Sequence, residues 1–213
     1  MAHHFLSIGV LGLSLIMTGC THSTHTQSSP HEETAKMVQT REALRDLWVS
    51  HIFWIRNVVW DDAMNNPAAR DAAEKEVLAN AKQIANTIQP FYGDAASEEL
   101  LTLLAGHYGA VKAYSEGSVA GNSLQQEAAL AQLASNADDI AVFLSSANPY
   151  LPRETVRGLI AAHGAHHIAQ ITQFQEKDYA DEGKTWDVMR QHVYTIADAL
   201  TTALATQFPT KFS

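Results

Sequence analysis

The stretch Leu159-Ile-Ala-Ala-His-Gly-Ala-His-His-Ile-Ala-Gln-Ile-Thr172 sets three histidines inside an apolar, alanine-rich run. Its pattern is typical of the middle of a helix, where residues four positions apart project from the same face. His163 and His167 therefore share a face, whereas His166 points away from it. The stretch predicts a helical fold with imidazoles directed into its core.

Three further histidines lie on the apolar stripes of other predicted helices, namely His51, His107 and His192. A buried imidazole without a partner costs about 1 to 3 kcal/mol, so a shared ligand would satisfy these side chains jointly. We therefore predict one buried metal site with His51, His107, His163 and His192 as ligands. His167 would replace one of them or add a fifth.

The hydrophobic pattern predicts six helices and no strand. Their approximate ranges are 37–62, 68–89, 97 to the glycines at 117 and 121, 123–145, 153–177 and 184–207, with Gly183 separating the last two. We expect an all-α, up-down four-helix bundle of the first, third, fifth and sixth helices, with the second and fourth packed alongside.

An internal repeat brings two histidines into register. A shift of 56 residues takes Glu98 to Glu154 and His107 to His163. The second and third predicted helices therefore look like a copy of the fourth and fifth.

The start of the chain has the pattern of an export signal. Residues 1–19 contain an apolar run of roughly a dozen residues, too short to span a bilayer and typical of a signal peptide. Leu15-Ile-Met-Thr-Gly-Cys20 resembles the lipobox of bacterial lipoproteins, in which the cysteine is lipidated. We expect a membrane anchor on Cys20, a polar tether over 20–36 and one helical domain over 37–209. Thr21, which is not aspartate, favours an outer-membrane lipoprotein facing the periplasm over an inner-membrane one.

Composition narrows the classes of partner. The formal net charge of -9 argues against nucleic acid, which requires a basic surface. Cys20 is the single cysteine, so the body has neither a disulfide nor a thiolate ligand. No protein partner is indicated.

Imidazole donors suit zinc, copper or iron, which are the metals we expect. Haem is the less favoured cofactor; two histidines would ligate its iron, and Trp48, Phe53 and Trp54 would line a flat pocket. No C-x-x-C-H attachment motif is present. Glutamates in an E-x-x-H arrangement are missing from the central positions, which argues against a di-iron centre.

Two resemblances to known families accompany these motifs. The segments 47–57, 90–93 and 143–149 together look like a family of small exported bacterial helical proteins without an established function. Some members of that family carry a glycosyltransferase label, but the sequence shows no nucleotide-sugar fold. Separately, His163-Gly-Ala-His-His-Ile-Ala-Gln170 is similar to the H-G-x-H-H-R-G-Q stretch of DinB-like bundles. That resemblance implies metal binding by His163 and His167, with His107 or His51 as the third ligand.

Three functions remain open from the sequence. The first is a lipid-anchored envelope protein that binds a transition metal for handling or sensing. The second is a metal-dependent hydrolase or transferase of DinB-like type, whose catalytic residues the sequence does not identify. The third is a structural envelope protein whose histidines are ordinary core residues.

Overall fold

A computed structural model describes residues 34–213 of the chain. The predicted signal peptide and Cys20 lie outside these residues. Within them the chain is helical without a strand, which confirms the all-α prediction. The described part contains six long helices, α1 (Ala35–Ala63), α2 (Pro67–Asn86), α4 (Asp94–Val119), α5 (Ser123–Ala147), α6 (Arg153–Glu176) and α7 (Tyr179–Gln207), together with the short helix α3 (Gln89–Tyr92) and a 3₁₀ turn (Pro209–Lys211). None of the helices within 34–213 combines the length and apolarity needed to cross a membrane.

The predicted break at Gly183 is wrong, because α7 begins four residues earlier and runs through that glycine. The chain instead turns at Lys177, whose φ of 60° ends α6 in the left-handed conformation. Asp178 then caps α7 by accepting a hydrogen bond from the backbone N–H of Asp181. A capping aspartate is thus a stronger boundary signal here than an isolated glycine.

The packing follows the predicted bundle. Helices α1, α4, α6 and α7 contact one another around a common core, with α2 against α1 and α4, and α5 against α4 and α6. Each of these long helices buries an apolar stripe against its neighbours, and this burial is the main driving force for the arrangement.

The 56-residue shift extends over three helical hairpins, α1–α2, α4–α5 and α6–α7. The second helix of each hairpin is capped at an equivalent position, by Asn66, Asn122 and Asp178. Five positions are occupied by the same residue in all three hairpins: Glu42, Glu98 and Glu154; Leu47, Leu103 and Leu159; His51, His107 and His163; Ile84, Ile140 and Ile196; Ala85, Ala141 and Ala197. The repeat predicted for the middle helices is therefore part of a longer one, whose unit is a hairpin.

Each hairpin also contributes the same positions to one apolar cavity. The cavity has a volume of about 40 Å³. Its wall includes Trp48, Leu104 and Ile160 from the first helices of the hairpins, and Ile84, Ile140 and Ile196 from the second helices. Trp48, Leu104 and Ile160 lie three residues before the three equivalent histidines, so the cavity ends where the histidines begin.

Candidate metal centre

Three imidazoles from two helices converge in the core of the bundle. His51 comes from α1, and His163 and His167 come from α6 one turn apart. One nitrogen of each ring lies within 4.8 Å of the corresponding nitrogens of the other two. The three side chains are only 1 to 2% exposed, so bulk water does not solvate them. This group can hold a metal ion.

The closest pair of nitrogens matches the spacing of two ligands on one ion. Nε2 of His163 lies 3.2 Å from Nε2 of His167. Two nitrogens at about 2.0 to 2.1 Å from a tetrahedral zinc ion lie about 3.3 Å apart. Without an ion, the same spacing permits a hydrogen bond in which one nitrogen donates and the other accepts. The pair is thus positioned for a metal without a large rearrangement.

Burial keeps the three imidazoles neutral, as metal ligands must be. Desolvation lowers the pKa of His51 to about 3, with a smaller contribution from His107. Desolvation and the neighbouring imidazoles hold the pKa of His163 and His167 well below the ordinary value of 6.5. At neutral pH each ring therefore carries a free lone pair.

The histidines leave several buried nitrogens without a hydrogen bond. Nδ1 of His51, His163 and His167 and Nε2 of His107 all lack a partner. Such groups each cost about 1 to 3 kcal/mol, and most buried polar atoms in folded proteins avoid this cost. An ion held between Nε2 of His163 and Nε2 of His167 would leave the Nδ1 atoms of both rings unpaired, so of the four nitrogens only Nδ1 of His51 and Nε2 of His107 could gain a partner from that ion.

His107 lies beside the three histidines without being one of them. Its ring stacks on His163 with the centroids 5.5 Å apart. Its Nδ1 is 2.9 Å from Oδ1 of Asn136, whose Nδ2 donates to the carbonyl oxygen of Leu103. Since the amide oxygen accepts, His107 carries its proton on Nδ1 and its lone pair on Nε2. Desolvation lowers the pKa of His107 to about 4, so this tautomer is neutral at pH 7.

The first hairpin repeats this support. Nδ2 of Asn80 donates to the carbonyl oxygen of Leu47 at 3.0 Å. Its Oδ1 and the Nδ1 of His51 both lack a hydrogen bond of normal length. The Asn80 amide is nevertheless near enough to favour the charged form of His51 slightly, against the larger effect of desolvation. Asn80 thus occupies the place beside His51 that Asn136 occupies beside His107.

The structure does not bring His192 into the group of three. Its Nε2 donates to the carbonyl oxygen of Leu159 at 2.8 Å, and its ring centroid lies 6.5 Å from that of His163. His192 occupies the repeat position of Asn80 and Asn136, so it supports a histidine-bearing helix instead of presenting a ligand to the centre.

Along the axis of α6, different side chains lie at the two ends of the histidine group. At one end Trp48 meets His51 and His163 edge to face, with both centroid distances at 5.6 Å, and separates them from the apolar cavity. At the other end Arg56 forms a bidentate ion pair with the buried Glu182, which also accepts a hydrogen bond from Gln170. The centre is thus bordered by an aromatic ring at one end and by an ion pair at the other.

Sequence reasoning missed the supporting residues Asn80, Asn136 and Glu182. The two asparagines were detectable, because each lies 29 residues after a histidine of the repeat, as His192 does after His163. Glu182 gave no such signal, because its ion pair joins helices that are distant in sequence.

Of the two ligand sets implied by the DinB-like stretch, the structure brings His51 rather than His107 to the α6 pair. No family model, curated protein or solved structure gives a significant match to this chain.

Proposed function

We propose that this protein binds one divalent transition metal ion through His51, His163 and His167 and serves in metal handling or sensing. The observation that carries the proposal is the buried convergence of three neutral imidazoles, two of which place their Nε2 atoms 3.2 Å apart, at the spacing of two ligands on one ion. An ordinary core histidine has its ring nitrogens hydrogen-bonded, and these three do not fit that description.

His107 is the fourth ligand in this proposal. Its Nε2 carries a buried lone pair, and the hydrogen bond of its Nδ1 to Asn136 is the kind of support that metal-bound histidines have. The ring stacks on His163 with the centroids 5.5 Å apart, directly beside the group of three. Four imidazoles without thiolate or carboxylate suit Zn²⁺, Cu²⁺ or Fe²⁺.

Metal binding is favoured over metal-dependent hydrolysis by the lack of space beside the ligands. A catalytic ion keeps an open position that faces a substrate cleft. Here the adjoining cavity has a volume of about 40 Å³ and apolar walls. That is enough for one or two water-sized molecules and too little for a polar substrate.

The spacing of the rings also disfavours haem. Axial ligands lie on opposite sides of the iron, with the macrocycle between them. Nε2 of His163 and His167 are only 3.2 Å apart, which excludes these two as the axial pair, and the cavity of about 40 Å³ beside the histidines has no room for a porphyrin held by any other pair.

The test is the metal content of the purified full-length chain after equilibrium dialysis against Zn²⁺. We expect one ion per chain in the wild type and none in His163→Ala. Gln175→Ala is the matched control, since this exposed residue lies on the same helix away from the histidines, and it should retain the ion. Equal zinc in the wild type and His163→Ala would sink the proposed site.

We also propose that the protein acts in the cell envelope, held by a lipid on Cys20. The lipobox-like sequence 15–20 supports this proposal. Mass spectrometry of the N-terminal peptide from membranes should show a lipidated Cys20, and an unmodified cysteine there would contradict the anchor.

A further inference from the structure

The third hairpin departs from the other two at a single supporting position. Asn80 and Asn136 occupy this position in the first two hairpins, and His192 occupies it in the third. All three donate a hydrogen bond to the carbonyl four residues before a repeat histidine. An asparagine is therefore sufficient for this hydrogen bond. The imidazole of His192 has, in addition, a second ring nitrogen that the hydrogen bond does not use.

The second ring nitrogen of His192 provides a lone pair near the protein surface. Because Nε2 of His192 donates to Leu159, its Nδ1 carries the lone pair. The ring of His166 lies beside it with the centroids 5.3 Å apart. Two imidazoles on one tetrahedral ion have centroids about 5 Å apart, given metal–nitrogen bonds of about 2.0 to 2.1 Å. His166 and His192 are thus spaced for one ion.

This pair lies on the side of the centre that is open to solvent. His166 and His192 are half-buried, whereas His163 is 1% exposed. The two ends of the centre along α6 are closed by the apolar cavity and by the Arg56–Glu182 ion pair. A hydrated cation that entered through the apolar cavity would have to lose its water without gaining polar partners. A cation that approached the ion pair would meet the positive charge of the Arg56 guanidinium.

We propose that His166 and His192 form an outer docking pair through which a divalent transition metal ion enters and leaves the buried histidines. This inference rests on the proposed metal site. His166 directly precedes His167 in the chain, and His192 lies 6.5 Å from His163 between ring centroids, so each outer residue adjoins an inner ligand. The ion exchanges water for imidazole at the surface and then passes from two nitrogens to the inner set.

The sharpest variant replaces His192 by the residue that the other hairpins use. His192→Asn keeps a side-chain amide that can donate to Leu159, but removes the metal-binding lone pair. His166→Gln removes the second imidazole from a half-buried position. Gln191→Asn is the matched control, because it changes an exposed neighbour on α7.

The measurement is stopped-flow transfer of Zn²⁺ between a chromophoric chelator and the full-length chain, in both directions. A docking pair speeds entry and exit equally, so either variant should slow loading and release by about tenfold while the dissociation constant stays unchanged. Gln191→Asn should match the wild type.

Three results would overturn the proposal. If both variants load and release Zn²⁺ at the wild-type rates, the ion does not pass through His166 and His192, although that result leaves the buried metal site in place. Faster release at an unchanged loading rate would show that His192 merely positions His163. A wild type that binds no zinc would remove the metal site itself. If His192→Asn does not fold, as judged by its circular dichroism, His166→Gln decides alone.

Discussion

Asn136 and His192 hold equivalent places in successive hairpins, each donating to the backbone carbonyl four residues before a buried histidine. The distances are 2.9 Å from Asn136 to Leu103 and 2.8 Å from His192 to Leu159. This link joins the second helix of a hairpin to the first at the level of the buried histidines. The histidines are therefore held by the repeat itself.

Asn136→Ala should destabilise the protein by about 1 to 3 kcal/mol, since it leaves Nδ1 of His107 without a partner and removes the additional hydrogen bond to the Leu103 carbonyl. Urea unfolding monitored by circular dichroism measures this change. Ser135→Ala, at the exposed neighbouring position, should stay within about 0.5 kcal/mol of the wild type. Equal midpoints for the two variants would show that the asparagine link contributes nothing.

The metal-free protein should lose stability as the pH falls below about 6.5. Burial lowers the folded-state pKa of His51 to about 3 and that of His107 to about 4, and holds His163 and His167 well below 6.5. The unfolded chain therefore takes up protons first, which favours unfolding between pH 6.5 and the folded-state values. Each histidine contributes on the order of 2 kcal/mol between pH 7 and pH 5.

Urea unfolding in the presence of a chelator at pH 7, 6 and 5 measures this loss. Above about pH 7.5 the histidine contribution should be constant, because these groups are then almost fully deprotonated in both states. A free energy of unfolding that stays level from pH 7 to pH 5 would contradict the buried, neutral state of the histidines.

Gly164→Ala should loosen the contact between α5 and α6 beside His163. An added Cβ would lie 2.8 Å from Cδ2 of Leu133, so the leucine must move or the helices must separate. Overpacking of this kind costs about 1 to 3 kcal/mol. Gly158→Ala in the same helix meets nothing within 4 Å and should stabilise the protein by about 0.5 to 1 kcal/mol. Thermal unfolding of both variants measures the difference. Equal shifts of the unfolding midpoint would refute the role of close packing at Gly164.

Local patterns were sufficient to predict the fold class. Apolar periodicity located the six long helices, and proline and asparagine located most of their ends. The short helix α3 was missed because four residues are too few to show a period. The predicted start of α7 is wrong because a glycine inside a helix mimics a boundary, whereas the true boundary is the capping residue Asp178.

Sequence reasoning identified the histidines as a group but did not determine which of them meet. Their positions on apolar stripes placed His51, His107, His163 and His192 in the core, but the helix rotations that decide nitrogen distances depend on tertiary packing. The equivalence of Asn136 and His192 is contained in the 56-residue shift, but the carbonyl that each side chain contacts is visible only in the folded hairpin.

The most direct test of the central claim is X-ray absorption at the zinc edge of the loaded full-length chain. We predict a first shell of nitrogen at about 2.0 Å, with the outer-shell scattering of at least three imidazoles. That scattering should fall by one imidazole in His51→Ala, if the variant retains zinc at all. A first shell containing sulfur, or one with fewer than three imidazoles in the wild type, would contradict the buried histidine site.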